Sequence, residues 1–318
     1  MTSQLFTRRD FIKKAATGAV VLSQSNLIAA ATISPKVSSP TIIDWSHGMK
    51  PLYCLAYIDP LYKPHQGQES FIAKYPIAVI PQGSIPRYTD FRNNLRKLNP
   101  QQKVLAYQVT LDENELLGPG HDQLFRKLKN SWLTLPGGIV PTISVKSAGK
   151  VKKFRIYDPR DLTFRKQFVE VCKVLVNQNG FDGIFFDNCT IYSQFINIPI
   201  LGKQLVDALQ QLILEVRSEL PNALLIGNSR YNFKGLNGEM NENRSASLAQ
   251  EVMSLQGRGV PSYDMYHYYM KNSNDLLNAE YHFRYALANR CFFGTGINPQ
   301  TIGWYPFFDK VLSQFQIV

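Results

Sequence analysis

Short apolar runs alternate with longer helical stretches along most of the chain. Eight of these runs are apolar enough, and closely enough bounded by Gly, Pro and Asn, to predict β-strands. The strand candidates are Leu52–Ile58, Pro76–Ile80, Lys103–Thr110, Gly180–Asp187, Ala223–Gly227, Gly235–Arg244, Tyr263–Tyr269 and Cys291–Gly294. Strands that alternate with helices in this way are typical of α/β proteins with a parallel sheet.

Helical periodicity separates most of these strands. It is clearest between Ile200 and Leu220, where Leu and Val recur at three- and four-residue spacing until Pro221 ends the pattern. Asp161 is the predicted N-cap of an earlier helix, whose apolar stripe begins at Phe164. Further helices are predicted over Asp90–Leu98, Gln123–Trp132, Ser245–Gln256 and Asp275–Ala288.

One connection, between Leu111 and Ile156, is unusually long for a compact domain unless it serves a function. Its basic run from Lys146 to Arg155 predicts an exposed loop or a short hairpin. We expect this run to attract an anionic polymer through its lysines. These are Lys146, Lys150, Lys152 and Lys153.

The fourth strand candidate ends abruptly in a carboxylate. Ile184, Phe185 and Phe186 are followed by Asp187 with no turn residue between them, so the charge lies where the strand leaves the core. Reactive groups collect at the carboxyl ends of strands in parallel α/β folds. Asp187 is therefore a candidate catalytic residue, and the alternative is an Asp that caps a helix or starts a turn.

The sixth candidate, Gly235–Arg244, carries a second carboxylate. A period of two places Glu242 on the face of Leu236, Gly238 and Met240, and turns Glu239 to the opposite face. Glu242 is the better candidate because it lies at the end of the segment. Two alternatives stay open: Glu239 as the active carboxylate, and a polar loop with solvated charges.

These segments resemble a known group of proteins. The Gly180–Asp187 strand, the Gly-x-Met-x-Glu pattern ending at Glu242 and the helix opening Tyr157–Asp161 resemble bacterial glycoside hydrolase-like TIM barrels. The sequence is similar to the endo-α-1,4-polygalactosaminidase family and to hypothetical glycosyl hydrolases near it, over roughly Leu52 to Trp304. The resemblance implies an α/β fold, a (β/α)8 TIM barrel. It also implies Asp187 as nucleophile at the end of strand four and Glu242 as acid/base at the end of strand six.

This chemistry needs two carboxyl groups, because glycosidic cleavage requires both a proton donor and an ionised partner. In the implied barrel, strands four and six end on the same rim. That placement is compatible with the roughly 5–5.5 Å separation of a retaining enzyme. Aromatic rings and polar groups at strand ends are candidate substrate-binding residues, and packing is the alternative for each. They are Tyr57, Asp59, Tyr107, Asn188, Asn228, Tyr231, Tyr266, Tyr268 and Trp304.

The N-terminal segment matches the twin-arginine export pattern. Paired Arg8 and Arg9 precede Phe11 and a Lys, a weakly apolar run follows, and small residues end at Ala31. We expect residues 1–31 to be a signal peptide read by the twin-arginine translocase, and residues 32–318 to be a single domain. The protein would then be periplasmic or secreted. The apolar run is too short for a stable membrane span, and a soluble basic amphipathic helix is the alternative.

The net charge of the sequence indicates which classes of binding partner to expect. The formal net charge of the 318 residues is +11, and the expected leader accounts for +3 of it. A basic mature protein favours polyanionic neighbours such as acidic polysaccharide. Nucleic acid is not expected, because the sequence has no zinc-finger spacing, RNP-type motif or basic helix. A solvated basic surface is the plainer interpretation of the charge.

Cysteine and histidine give no sign of a cofactor. The cysteines are far apart with no C-x-x-C pair, and the five histidines form no H-E-x-x-H pattern. Cys54 and Cys291 would be neighbours in a barrel and could pair, but buried free thiols are favoured. We therefore expect neither a metal nor a cofactor.

Three functions fit these observations. The first is an exported glycosidase that cleaves an extracellular or cell-wall polysaccharide, amino-sugar-containing or acidic, with a paired Asp/Glu mechanism. The second is a non-catalytic carbohydrate-binding protein of the same fold. The third is an oxidoreductase, suggested only by the export route and disfavoured because no G-x-G-x-x-G motif is present.

Overall fold

Parallel strands form the centre of the structure. The structure is a computed structural model that describes residues 41–43, 48–55, 68–81, 86–112, 131–147, 150–229, 231–242, 262–270, 272, 274–296 and 304–317. The strands in chain order are β1 (Thr41–Ile43), β2 (Tyr53–Leu55), β3 (Ile77–Pro81), β4 (Lys103–Val109), β5 (Thr142–Ser147), β6 (Lys150–Arg155), β7 (Gly183–Asp187), β8 (Leu224–Gly227), β9 (Gly238–Glu242), β10 (Met265–Tyr269), β11 (Phe292–Gly296) and β12 (Phe315–Ile317). The α-helices are α1 (Gln68–Ile72), α2 (Pro86–Leu98), α3 (Leu162–Lys173), α4 (Ser193–Ile196), α5 (Leu201–Glu219), α6 (Leu276–Ala288) and α7 (Pro306–Leu312), and α3 continues as a π-helix over Val174–Gln178.

Eight of the strands close into a barrel. Their order is β2-β3-β4-β7-β8-β9-β10-β11, and every neighbouring pair is parallel. The first and last strands meet where Leu52 pairs in parallel with Phe293, whose amide donates to the Pro51 carbonyl at 2.9 Å. The predicted (β/α)8 TIM barrel is confirmed, and each of the eight strand candidates contributes one barrel strand.

The period of two sorts strand residues between the barrel interior and the surrounding helices. Side chains such as Phe185, Ile226 and Met240 pack with one another inside the barrel. Neighbouring residues such as Ile184 and Phe186 pack instead against the outer helices. Asp187 and Glu242 each follow an interior residue by two positions, so both continue the interior face.

Most of the predicted helices agree with the structure where it describes them, but Ser131 and Trp132, the described end of Gln123–Trp132, are not helical. Asp161 caps α3 by accepting a hydrogen bond from the Thr163 amide at 2.7 Å. The long periodic stretch forms α5, and the stretch after Asp275 forms α6. The Ser245–Gln256 prediction and the signal peptide lie outside the described residues, as does most of Gln123–Trp132. Trp132 itself is described, and it forms an antiparallel bridge with Tyr157.

The basic run after β4 forms a hairpin, one of the two predicted alternatives. Strands β5 and β6 pair antiparallel in register from Thr142–Arg155 to Ser147–Lys150. The insertion is tied to the end of β4, because the Tyr157 amide donates to the Leu111 carbonyl at 2.8 Å and Asp112 forms a bridge with Ile156. It therefore leaves and rejoins the barrel at the carboxyl ends of the strands. No helix in the described ranges is long and apolar enough to cross a bilayer.

Candidate active site

Asp187 lies at the carboxyl end of β7 and is held from several sides. Its backbone carbonyl accepts hydrogen bonds from the Thr110 amide at 3.0 Å and the Thr110 hydroxyl at 2.9 Å. The Tyr107 hydroxyl donates to Oδ2, and Nδ2 of Asn228 donates to Oδ1 at 2.9 Å. Donors on both oxygens stabilise the ionised form of a carboxylate.

Glu242 lies across β8 from Asp187 and shares a donor with it. Nδ2 of Asn228 also donates to Oε1 of Glu242 at 3.2 Å, and the Tyr269 hydroxyl donates to the same oxygen at 3.2 Å. The two hydrogen bonds from Asn228 meet at one nitrogen. The two oxygens that Asn228 binds, Oδ1 of Asp187 and Oε1 of Glu242, are therefore no more than roughly 6 Å apart, which is below the roughly 6.5–9.5 Å of inverting enzymes.

The backbone around β8 fixes the position of Asn228. Its amide donates to the Phe186 carbonyl at 2.8 Å, and its own carbonyl accepts from the Cys189 amide at 3.1 Å. Both partners belong to β7 or the turn after it, so these bonds hold Asn228 against the strand that carries Asp187. Asn228 thus lies between the two carboxylates because the strands on either side of β8 carry them.

Glu239 does not belong to this group. It lies on the outer face of β9, is only 3% exposed, and its backbone amide donates to Oδ1 of Asp264 at 2.9 Å. The pKa of the Cys189 thiol is raised mainly by burial and also by the nearby Glu239. Of the two glutamates considered from the sequence, Glu242 is the one beside Asp187.

The expected role of Tyr266 in substrate binding does not fit its position. Tyr266 faces outwards from β10, and its hydroxyl hydrogen-bonds Nδ1 of His282 in α6 at 2.7 Å. Tyr268 faces the same way and donates to Oδ2 of Asp275 at 2.9 Å. The alternation of β10 turns Tyr269 inwards instead, where it contacts Glu242.

Trp304 is also far from the carboxylates. Its ring packs edge-on against Tyr75 and Phe308, each at 5.4 Å between centroids. Lys50 and Lys74 lie over the same ring at 5.5 and 5.8 Å. Lys50 precedes β2, and Lys74 and Tyr75 precede β3, so these contacts place Trp304 at the amino ends of the strands. The expected role of Trp304 in substrate binding does not fit this position, at the end of the barrel opposite Asp187.

The other sequence candidates divide into three groups. Tyr107 and Asn228 contact the carboxylate pair directly. Asn188 and Tyr231 lie nearby but bind the protein itself, since Tyr231 donates to the Ile191 carbonyl at 3.2 Å and Asn188 to Asp112 at 2.8 Å. Tyr57 and Asp59 lie outside the described residues.

Asp112 is a buried carboxyl group next to the pair. Its Oδ2 accepts hydrogen bonds from Nδ2 of Asn188 at 2.8 Å and from the Tyr192 hydroxyl at 2.6 Å. Burial and, to a smaller extent, the charge of Asp187 raise the pKa of Asp112 to about 7, against the hydrogen bonds from Tyr192 and Asn188 that lower it. Asp112 is thus largely uncharged below neutral pH.

A neutral histidine lies beneath Tyr269 inside the barrel. Nδ1 of His267 is 3.0 Å from the Tyr53 hydroxyl, and the His267 ring lies 4.5 Å from that of Tyr269. Burial lowers the pKa of His267 to about 3, so it carries no charge at neutral pH. Gly294 leaves the room for this pair, because a Cβ there would lie 2.7 Å from Cζ of Tyr53.

Sequence reasoning missed Tyr269, His267 and Asp112. Tyr269 and His267 share a face with Met265, and the strand alternation applied at Glu242 would have found them. No comparable signal marks Asp112, because its place depends on how the insertion returns to the barrel. All four cysteines are buried and free, as favoured from the sequence. Across the described ranges, no group of three or more His, Cys, Asp or Glu is arranged to hold a metal ion.

Solved structures with a similar fold are glycoside hydrolase barrels. The glycoside hydrolase domain of PelA from Pseudomonas aeruginosa matches with a TM-score of 0.57 and 10% identity, over 80% of this chain and 97% of that domain. The galactosidase domain of the α-galactosidase–sucrose kinase AgaSK matches with a TM-score of 0.54 and 13% identity, over 86% of this chain and 41% of the other. An α-galactosidase from Lactobacillus brevis matches with a TM-score of 0.50 and 11% identity, over 78% and 36%.

These comparisons define the protein by its fold. It is a TIM barrel of the kind found in glycoside hydrolases. No protein-family model matches the sequence, and no curated protein matches it either. At such low identity the shared fold does not establish an activity, which has to be argued from the site.

Proposed function

We propose that the protein is an exported glycoside hydrolase that cleaves an extracellular or cell-wall polysaccharide, with Asp187 as nucleophile and Glu242 as acid/base. One observation carries the proposal: a single amide, Nδ2 of Asn228, donates to both carboxylates. Two carboxyl groups at this spacing, at the carboxyl ends of the barrel strands, are the catalytic groups that glycosidic cleavage requires.

The environment of Asp187 supports its role as the nucleophile. Asp187 accepts hydrogen bonds on both oxygens, one of them from Tyr107, which favours the ionised state that a nucleophile needs. In the first step Asp187 attacks the anomeric carbon while Glu242 protonates the leaving oxygen. In the second step Glu242 takes a proton from water, and that water displaces Asp187 from the sugar.

The short separation supports retention of anomeric configuration. Inverting enzymes hold their carboxyl groups roughly 6.5–9.5 Å apart to admit a water molecule, whereas retaining enzymes hold them at about 5–5.5 Å. Because Asn228 binds both carboxylates here, the two bound oxygens lie closer together than the inverting range, which supports a retaining mechanism. Proton NMR of the first-formed product distinguishes the two outcomes by the anomeric signal.

Charge and setting suggest the substrate class. Removal of the leader's +3 from the net charge of +11 leaves +8 on the mature chain, which favours an acidic polymer. The insertion with the basic hairpin joins the barrel at the carboxyl ends of the strands. An amino-sugar-containing polysaccharide is the second class to test. The twin-arginine pattern at Arg8 and Arg9 supports delivery to the periplasm or beyond.

The test is a substrate screen with a matched inactive variant. Purified mature protein is incubated with amino-sugar and uronic-acid polymers, and products are read by mass spectrometry. We expect oligosaccharides from wild type and none from Asp187→Asn, which keeps the shape and removes the charge. Binding of a polymer by both proteins, with turnover by neither, would instead identify a carbohydrate-binding protein of the same fold.

A further inference from the structure

The turn after Asp187 has an unusual backbone at Asn188. Its φ angle is +50°, in the left-handed region that Asn tolerates better than most residues. The Asn188 carbonyl accepts a hydrogen bond from the Thr190 amide at 2.7 Å, and the Cys189 amide donates to the Asn228 carbonyl at 3.1 Å. The conformation of Asn188 therefore sets the direction of the chain after Asp187. It also places the Cys189 amide against the Asn228 carbonyl.

Asp112 holds this turn by its side chain. Its Oδ2 accepts from Nδ2 of Asn188 at 2.8 Å and from the Tyr192 hydroxyl at 2.6 Å. Asn188 and Tyr192 lie on either side of the turn, so one oxygen joins its two ends. Asp112 is itself fixed by the backbone bridge to Ile156. The residue is only 7% exposed.

We propose that Asp112 is a positioning residue for the reaction, which fixes Asp187 through Asn188 and the turn up to Tyr192. The inference rests on the proposed glycosidase function. It needs Asp112 as a hydrogen-bond acceptor and not as a charge. The raised pKa of Asp112 agrees with this role, because below neutral pH the group is largely uncharged and adds little negative charge beside Asp187.

Two substitutions separate an acceptor from a charge. Asp112→Asn keeps a carbonyl oxygen for both donors, whereas Asp112→Ala removes the acceptor. We expect Asp112→Ala to lower kcat by about 10²-fold with little change in KM, as for a misplacement near 1 Å. Asp112→Asn should stay within a few-fold of wild type. Equal damage by both would show that Asp112 acts by charge or proton transfer, and would overturn the proposal.

A double-mutant cycle tests the route through Asn188. Asn188→Gly adopts the left-handed backbone without strain but loses the amide donor. If Asp112 acts through Asn188, Asp112→Ala should lower kcat by a smaller factor in Asn188→Gly than in wild type, because only the Tyr192 contact is left to lose. Losses that multiply would mean that the two residues act independently, against the proposal.

Hydrogen exchange tests the same inference without any substrate. The Cys189 and Thr110 amides bind the carbonyls of Asn228 and Asp187, so they report on the turn. We expect both to exchange at least about tenfold faster in Asp112→Ala and at the wild-type rate in Asp112→Asn. The Val104 amide, which binds Asp182 at the other end of the barrel, should not change in either. Unchanged exchange at Cys189 and Thr110 in Asp112→Ala would refute the inference, even if no glycoside is ever cleaved.

Discussion

Tyr269 donates its hydroxyl hydrogen to Oε1 of Glu242 at 3.2 Å across neighbouring strands of the barrel. The register pairs Glu242 with His267, so Tyr269 lies two residues further along β10 on the same face. Its ring rests on the neutral His267, which hydrogen-bonds Tyr53 in turn. Three uncharged side chains in contact, Tyr53, His267 and Tyr269, thus support the carboxyl group of Glu242, which is assigned as the acid/base.

We expect Tyr269→Phe to lower kcat by roughly tenfold or more, because the hydroxyl that orients Glu242 is lost. The matched control is Tyr266→Phe, which removes a hydroxyl from the outer face of the same strand, where it binds His282. The control should keep its kcat and lose about 1 kcal/mol of unfolding free energy. Steady-state kinetics and denaturant unfolding of both variants check the pair of outcomes, and the reverse pattern would contradict the assignment of the two faces.

The contrast between Tyr266 and Tyr269 shows where sequence reasoning stops. Apolar runs locate the barrel strands, because strands that are buried on both faces need apolar side chains. The alternation of side chains along a strand then places Asp187 and Glu242 on the interior face. Strand β10 has aromatic residues on both faces, so residue type alone does not say which ring meets the substrate. Trp304 and Asp112 lie outside the barrel strands, and no local pattern in the sequence specifies their positions.

The stability of the protein should depend on pH through Asp112. Burial raises the pKa of Asp112 from its ordinary value of 3.8 to about 7 in the folded protein, with Tyr192 and Asp187 facing it. Between about pH 4 and 7 the folded state binds more protons than the unfolded chain, so this group's contribution to stability falls as pH rises. The slope is at most about 1.4 kcal/mol per pH unit.

Asp112→Asn has no such proton to lose. Urea unfolding of wild type and Asp112→Asn at pH 5, 6, 7 and 8 should show the variant gaining relative stability as pH increases. Because the comparison is made between two proteins, titration of all other groups cancels to first order. Unfolding free energies that differ by a constant across this range would contradict the raised pKa of Asp112.

Export should depend on the paired arginines. Arg8→Lys together with Arg9→Lys keeps both charges but removes the guanidinium groups that the twin-arginine translocase reads. We expect the precursor of this variant to remain in the cytoplasm, which fractionation and immunoblotting would detect. Lys13→Arg with Lys14→Arg is the matched control, because it alters the same segment without touching the pair. Normal periplasmic delivery of the first variant would remove the basis for the localisation.

The carboxylate pair gives the most direct prediction. Glu242→Gln removes the proton donor, and general acid–base assistance is typically worth about 10²–10⁴-fold, so kcat on natural glycosides should fall by that order. The loss should shrink with activated substrates whose leaving group needs no protonation. Asp187→Asn should abolish turnover of both substrate types, because the attacking carboxylate is needed whatever leaves. Glu239→Gln is the control on the outer face of β9, and it should retain activity. Were Glu239→Gln the crippling change and Glu242→Gln harmless, the roles assigned from the geometry around Asn228 would be wrong.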